Sequence, residues 1–324
     1  MQNEDVRGLN LYDLKPSRES FLAEVLIGLQ KPQKELPSKY FYDIRGSQLF
    51  NQICKLEEYY IPYIEDTIMH AQIREIAGVI GPRVLLIEYG SGNCEKVRLI
   101  LDNLNNPVAY VPVDISREQL LNATTKLAID YPKLELHPVC ADYLSNFHLP
   151  LTKQPAKRSV VYFPGSTIGN FDPIPAKHFL EKVASICGKA GALLIGVDIK
   201  KDPTVLHSAY NDREGITAEF NLNLLRRINR ELDCDFKLEW FQHYAFYNPI
   251  ENRVEMHLVS RRDQVVHLNG AAISFANGES IWTESSYKYT LRQFEQMAAA
   301  AGFKVKHVWM DERQWFSVQY LVTR

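Results

Sequence analysis

Cysteine is scarce and unpatterned in this chain: the five present, Cys54, Cys94, Cys140, Cys187 and Cys234, are odd in number, widely spaced and include no C-x-x-C pair. That argues against a disulfide framework and a thiolate zinc site, and reduced, mostly buried thiols are expected. The nine histidines include no H-E-x-x-H and no paired helical spacing, so no metal is expected. Long apolar runs are missing as well. No stretch approaches the about 18 consecutive apolar residues of a membrane-spanning helix, and the opening MQNEDVRGLNLYDLKPSRES lacks the apolar segment of a signal peptide. A cytoplasmic protein is expected. Nor is there a dense Lys/Arg run. With a formal net charge of -2 and a pI near 6.5, the electrostatic footprint of a nucleic-acid binder is absent, and a small-molecule partner is favoured.

What is present is the composition of an ordinary globular protein, with 324 residues, 46% hydrophobic and 23% charged, enough for one large domain or two smaller ones. Its most informative stretch is EYGSGNCEK, residues 88–96, directly after the apolar run Val84-Leu85-Leu86-Ile87. Glycines at such a turn allow backbone angles barred to other residues and let a ligand approach the main chain. Glu95 stands where a third glycine would complete G-x-G-x-x-G, so the dinucleotide fingerprint is incomplete and an ordinary tight strand-to-helix turn is the alternative.

Strand and helix alternate from there. VLLIEYG leads to a helix carrying Val97, Ile100, Leu101 and Leu104; AYVPVD ends at Asp114, and Ser116-x-x-Gln119 reads as a capping box opening a helix to Tyr131. Residues 134–140, 159–165 and 192–199 read as three further strands, with Asp172-Pro173 opening a helix that ends at Gly188. Such alternation predicts a parallel sheet covered on both faces. Upstream, Ser17 caps a helix with Phe21, Leu22, Val25, Leu26 and Leu29 on one face, and residues 64–80 form another that stops at Gly81-Pro82. The tail departs from the pattern. After a helix over 291–301, FKVKHVWM and WFSVQYLVT are joined by a short DERQ stretch as a hairpin. A doubly wound sheet finished by an antiparallel hairpin is the order of class I S-adenosylmethionine-dependent methyltransferases, whereas a dehydrogenase would continue with βαβ units. Between Lys200 and Trp282 the alternation breaks into a helix over 216–232 and strands at hairpin spacing, FKLEWFQHYAFYN, RVEMHLVSR and VVHLNGAAISFA. The expected organisation is a Rossmann-like methyltransferase core of residues 61–199 and 287–324, with residues 1–60 and 200–286 forming an inserted, mixed α/β substrate-binding domain.

Ligands of a doubly wound sheet sit outside the C-terminal ends of its strands. The first strand presents Gly90 and Gly92, with Lys96 at the helix start. Asp114 ends the second, placed either to accept from ribose hydroxyls or to act as a helix N-terminal charge beside Ser116. Asp142-Tyr143 after the third suits an adenine ring, a plain turn being the alternative. The fourth runs into Pro164-Gly165-Ser166-Thr167-Ile168-Gly169-Asn170-Phe171, whose glycines, hydroxyls and amide can address the polar end of a substrate. In Thr283-Glu284-Ser285-Ser286, strand alternation puts Glu284 and Ser286 on one face.

FPGSTIGNF, EYGSGNCEK, KYFYDIRGSQLFNQICKLEEYY and WTESSYKY, taken together in chain order and spread over nearly the full length, resemble the histidine-specific Nα-methyltransferase family of ergothioneine biosynthesis. The resemblance implies trimethylation of the histidine α-amine to hercynine, with S-adenosylmethionine as donor, no metal, and a positioning mechanism without a catalytic residue. It assigns Tyr42, Gly90, Lys96, Asp114, Asp142 and Tyr143 to the donor. To histidine it assigns Tyr59, Gly165, Asn170, Tyr210, Met256, Glu284 and Ser286, with Glu284 and Ser286 on the imidazole. Two departures stand out: Ile61-Pro62-Tyr63 replaces the family's usual Pro/Thr/Arg stretch, and Tyr143 replaces its usual Phe. Relatives of the family methylate other amino acids, so a tryptophan-like amine is the alternative substrate; a donor-binding regulator without catalysis is the other. A monomer is expected.

Overall fold

Val84–Tyr89 and Ala109–Asp114 are buried at every position, which is what uninterrupted apolar runs require of strands covered on both faces. They lie side by side at the centre of the larger sheet. The computed structural model describes residues 2–6, 9–14, 17–144 and 147–324. Across its ten-stranded sheet the order is Gln2–Val6, Leu9–Leu14, Val139–Ala141, Ala109–Asp114, Val84–Tyr89, Arg158–Phe163, Ala192–Asp198, Phe316–Thr323 and Phe303–Met310, with Glu135–Leu136 pairing beside Ala109–Asp114. The five strands from Val139–Ala141 to Ala192–Asp198 run parallel, and the two C-terminal strands are antiparallel. This is the doubly wound sheet with a terminal hairpin of the class I methyltransferases, as the sequence predicts.

Three local expectations need correction. Residues 2–6 and 9–14, assigned above to the second domain, pair at the edge of the large sheet, Leu9–Leu14 lying parallel to Val139–Ala141. Leu11 there packs with Leu120, Leu121 and Cys140, and Arg117 reaches Asp13 at 2.9 Å. The third core strand is split, because Pro138 has no N–H for the ladder; its carbonyl instead accepts from Tyr12 N–H at 3.0 Å. Ser116 sits at the N-cap of helix Arg117–Asp130, but its side chain makes no capping bond, so the expected box is not formed. The Ser17 cap is as expected, its Oγ accepting from Ser20 N–H.

The chain divides into two compact units, one of Met1–Lys15, Ile61–Lys200 and Lys288–Arg324, the other of Pro16–Tyr60 and Lys201–Tyr287. The second contains a four-stranded sheet in the order Phe241–Asn248, Arg253–Ser260, Ser280–Tyr287 and Lys34–Glu35, and a hairpin of Gln264–Leu268 with Ala271–Phe275. Helices Arg18–Leu29, Ile44–Ile53, Pro203–Tyr210 and Ile216–Leu232 accompany them. Three of the five free cysteines, Cys94, Cys140 and Cys187, are buried. Among the described residues no helix is long and apolar enough to cross a membrane.

Two buried charge arrangements lie in the first unit. Asp198, ending the fifth core strand, pairs with Lys288 at 2.7 Å, both side chains at 0% exposure. Removing one member of such a pair strands the other and costs about 3–5 kcal/mol. Lys288→Met should therefore lower the stability measured by urea unfolding by about that amount; a loss below about 1 kcal/mol would show that Asp198 is stabilised without its partner. Glu88 on the first strand is buried and accepts a hydrogen bond from Tyr110 Oη on the second. Desolvation pushes its carboxyl up to about 8, opposed by the Tyr110 bond and the nearby Lys96 charge. The folded protein thus keeps a proton that the unfolded chain releases above about pH 4.5, so this contribution to stability is full below that pH and is lost as pH rises to about 8. The melting temperature of Glu88→Gln should accordingly fall less than that of the parent across this window, and parallel pH profiles would disprove the buried proton.

Candidate active site

In the first unit, the turn after Val84–Tyr89 needs glycine at two places, with φ of +70° at Gly90 and +52° at Gly92. A Cβ on Gly90 would meet no atom within 4 Å, so the backbone there faces open space. Gly90 N–H donates to Val113 O at 2.9 Å, tying the turn to the second strand. Asp114 completes the link. Its Oδ2 accepts from Gly92 N–H and its Oδ1 from Ser116 N–H, each at 2.8 Å. Burial pushes this carboxyl upward while the backbone bonds pull it down. The helix-charge alternative is therefore realised through backbone bonds, yet each carboxylate oxygen has a further lone pair for a hydroxyl. Gly90 and Asp114, both assigned to the donor by the resemblance, are thus brought together through Val113 and Gly92. Asp142 and Tyr143 follow the split third strand. Asp142 Oδ1 accepts from Leu144 N–H at 2.9 Å, forming its own turn, and the Tyr143 ring stacks on Tyr89 with centroids 5.7 Å apart.

Lys96, at the start of helix Glu95–Asn103, donates to the buried Glu65. The same carboxylate accepts from Gly165 N–H at 2.9 Å. Gly165 and Ser166, with φ of +74° and +58°, turn the chain out of the fourth strand. Ser166 Oγ accepts from Asp198 N–H at 2.9 Å, and Thr167 Oγ1 donates to Pro164 O at 3.0 Å. Asn170 closes the short helical turn Thr167–Asn170 and is half-buried. Glu65 was not singled out from sequence. The available signal was a lone acid in the otherwise apolar face of helix Ile61–Ile80. Ile61 and Tyr63, in the departing tripeptide, open that helix, Ile61 buried and Tyr63 76% exposed.

The second unit gathers most of the residues assigned to histidine. Tyr210 Oη donates to Ser286 Oγ at 2.7 Å, and the Tyr59 ring meets Tyr210 edge-on at 6.0 Å. Met256 lies opposite Glu284 in the paired strands. Desolvation first, and then the proximity of Tyr210, Cys54, Glu284 and Tyr42, holds the Tyr59 phenol well above its ordinary value, so it is a neutral hydrogen-bonding group. A bulge aims Glu284. Trp282 pairs with His257 and Glu284 with Met256, leaving Thr283 as the extra residue; Trp282 and Glu284, two apart, consequently face opposite sides of the sheet. Thr283 Oγ1 donates to Asn221 Oδ1 at 2.8 Å, pinning the bulge to helix Ile216–Leu232. Tyr42 belongs to this unit, its ring edge-on to Phe50 at 5.6 Å and Phe220 at 5.8 Å. It follows directly into the N-cap Asp43, whose Oδ1 accepts from Gly46 N–H at 2.7 Å. Gly46 is obligatory, since a Cβ there would stand 1.7 Å from Phe41 O. Phe50, on helix Ile44–Ile53, sits edge-on to Tyr59 at 6.4 Å and was missed from sequence, where an apolar residue on an amphipathic helix signals only core. Gly165 and Asn170, also assigned to histidine, belong to the first unit.

Comparison with known proteins places this geometry in a family. Residues 21–323 match the family described as histidine-specific, S-adenosylmethionine-dependent methyltransferases. The chain is 38% identical over 300 residues to the histidine N-alpha-methyltransferase of Mycolicibacterium smegmatis, covering 90% of this chain and 92% of that one. With the enzyme of the same name from Mycobacterium tuberculosis it shares 39% over 295 residues, 89% and 90% of the two chains. Ergothioneine biosynthesis protein 1 of Neurospora crassa is 31% identical over 295 residues, which span 85% of this chain but 32% of that longer protein. Together with the doubly wound sheet and its glycine turn, these matches make the chain a member of the histidine-specific methyltransferase family, an amino-acid N-methyltransferase whose methyl donor is S-adenosylmethionine.

Proposed function

We propose that this chain transfers three methyl groups in succession from S-adenosylmethionine to the α-amine of histidine, yielding hercynine for ergothioneine synthesis. The observation that carries the reading is the arrangement in the second unit, where Tyr59, Tyr210, Met256, Glu284 and Ser286 converge through one hydroxyl pair, one ring contact and one strand register. An imidazole has one N–H that needs an acceptor and one nitrogen that needs a donor, or two N–H groups when protonated; the Glu284 carboxylate and Ser286 hydroxyl cover both states. Met256 supplies an adaptable apolar wall for the ring.

Donor binding is assigned to Tyr42, Gly90, Lys96, Asp114, Asp142 and Tyr143; Asn170 and Tyr210 are assigned to the backbone end of the amino acid, and Gly165 to the same substrate. When bound, the donor supplies an already activated sulfonium methyl, so the protein's work is orientation and exclusion of water. The amine has to be unprotonated at each transfer. The neutral Tyr59 phenol suits that state, since it can bond an amine without adding charge. Rings of Tyr42, Phe50 and Tyr59 follow one another edge-on, a surface able to accommodate the fixed cation of a trimethylated product.

Mass spectrometry of methyl transfer across the twenty amino acids should show histidine gaining up to three methyl groups; preferred modification of tryptophan would overturn the histidine assignment and retain the methyltransferase. Glu284→Ala should depress kcat/KM for histidine by roughly tenfold or more, the scale of a lost charged hydrogen bond, while reducing discrimination against phenylalanine and tryptophan. A uniform loss for all amino acids would mean that Glu284 supports the fold and does not read the ring.

A further inference from the structure

Glu65 is an acid in a place where the fold gives no reason for one. It lies on helix Ile61–Ile80 among Ile61, Ile64, Ile68 and Met69, and its side chain is 2% exposed. Burying a carboxylate is unfavourable unless its oxygens are satisfied, and a well-packed apolar side chain is often at least as stabilising there. Both oxygens are used. Oε2 accepts from the Lys96 ammonium and Oε1 from Gly165 N–H at 2.9 Å. A third element leaves room for the same group: at Gly196, in the fifth core strand, a Cβ would stand 2.2 Å from Glu65 Oε1 as well as 2.8 Å from Phe316 Cζ. Helix start, strand-end turn and strand interior therefore all meet at one carboxylate.

Its two partners are the residues through which donor and amino acid are read. The bond from the Lys96 ammonium to Glu65 fixes where that ammonium sits at the start of the helix after the glycine turn. The peptide unit between Pro164 and Gly165 is held at both ends, its N–H by Glu65 and its carbonyl by Thr167 Oγ1. We propose that Glu65 is a positioning residue that orients Lys96 towards the donor and fixes the Gly165 turn, so that the donor turn and the amino-acid loop are set by one buried carboxylate and binding at one favours binding at the other. The proposal rests on the reading above of Lys96 as a donor residue and Gly165 as an amino-acid residue.

Titration calorimetry on the full chain tests it, with S-adenosylhomocysteine and histidine as ligands and Glu65→Gln, Lys96→Met and the double variant beside the parent. Glu65→Gln keeps the volume and an acceptor for Gly165 but removes the charge from Lys96. Each single variant should weaken S-adenosylhomocysteine binding by about tenfold. The double variant should be no weaker than Lys96→Met alone, because Glu65 acts on the donor through Lys96. A merely structural glutamate would give additive losses that follow the melting temperature. Saturating S-adenosylhomocysteine should tighten histidine binding in the parent and not in Glu65→Gln. Unchanged affinity in Lys96→Met would overturn the donor reading of Lys96, and this proposal with it. A weakened Lys96→Met beside an unaffected Glu65→Gln would overturn the role of Glu65 alone. Should Glu65→Gln fail to fold, Lys96→Met carries the test, since it cuts the same link: undiminished enhancement of histidine binding there overturns the proposal.

Discussion

The first unit depends on a single ion pair that water does not reach. Asp198 and Lys288 meet where the chain leaves the sheet after its fifth strand and where it returns 90 residues later, by the numbering of the two residues. Around them Tyr289 N–H donates to Asp198 O, Lys200 N–H to Tyr289 O, and Ile199 N–H to Trp315 O. Asp198 N–H also donates to Ser166 Oγ, so the same residue secures the turn that follows the fourth strand. In a low-dielectric interior neither charge is tolerable alone. Departure, return and turn are thereby fixed relative to one another within this unit, which is what lets an inserted stretch of chain leave the sheet order undisturbed.

The ligand end of that sheet is also a concentration of buried acids: Glu65, Glu88, Asp114 and Asp198 are all buried in the same unit. Lys96 and Lys288 compensate Glu65 and Asp198. Asp114 is compensated by backbone N–H groups and Glu88 by a phenol and its raised pKa. Paired or protonated in this way, the acids leave no excess of positive charge to hold a polyphosphate-bearing nucleotide. The missing third glycine at Glu95 agrees with this, for that position starts a helix with an acid where a pyrophosphate would need a bare N-terminus.

Much of this was readable from sequence because it is local. Uniformly apolar runs give strands buried on both faces, the glycines of EYGSGNCEK give a turn with positive φ, and a final helix followed by two adjacent strands gives the hairpin. What was not readable depends on partners far apart in sequence. The strands at 2–6 and 9–14 are short and weakly patterned, and only the exposed edge of Val139–Ala141 makes them strands. Pro138 interrupts a run whose composition alone reads as continuous. The Glu284–Ser286 face was legible through alternation, but the bulge at Thr283 that aims it away from Trp282 is specified by Asn221 on another helix. Glu65 was hidden for the same reason: an acid in an apolar helix face carries no meaning until Lys96, Gly165 and Gly196 are placed around it.

The parallel pairing of Lys34–Glu35 with Ile281–Trp282, together with that of Leu9–Leu14 with Val139–Ala141, bears on how the molecule is made. A ribosome delivers the N-terminal segments first, yet each waits for a partner translated much later. The second unit cannot finish its sheet until its last strand has emerged, and the first cannot insert Phe316–Thr323 between its neighbours until the chain is almost complete. Contacts so distant along the chain slow folding and leave unpaired edges exposed in the meantime. Early interruption of synthesis should therefore yield fragments that neither unit can rescue, and assembly in the cell becomes a late, nearly simultaneous event for both.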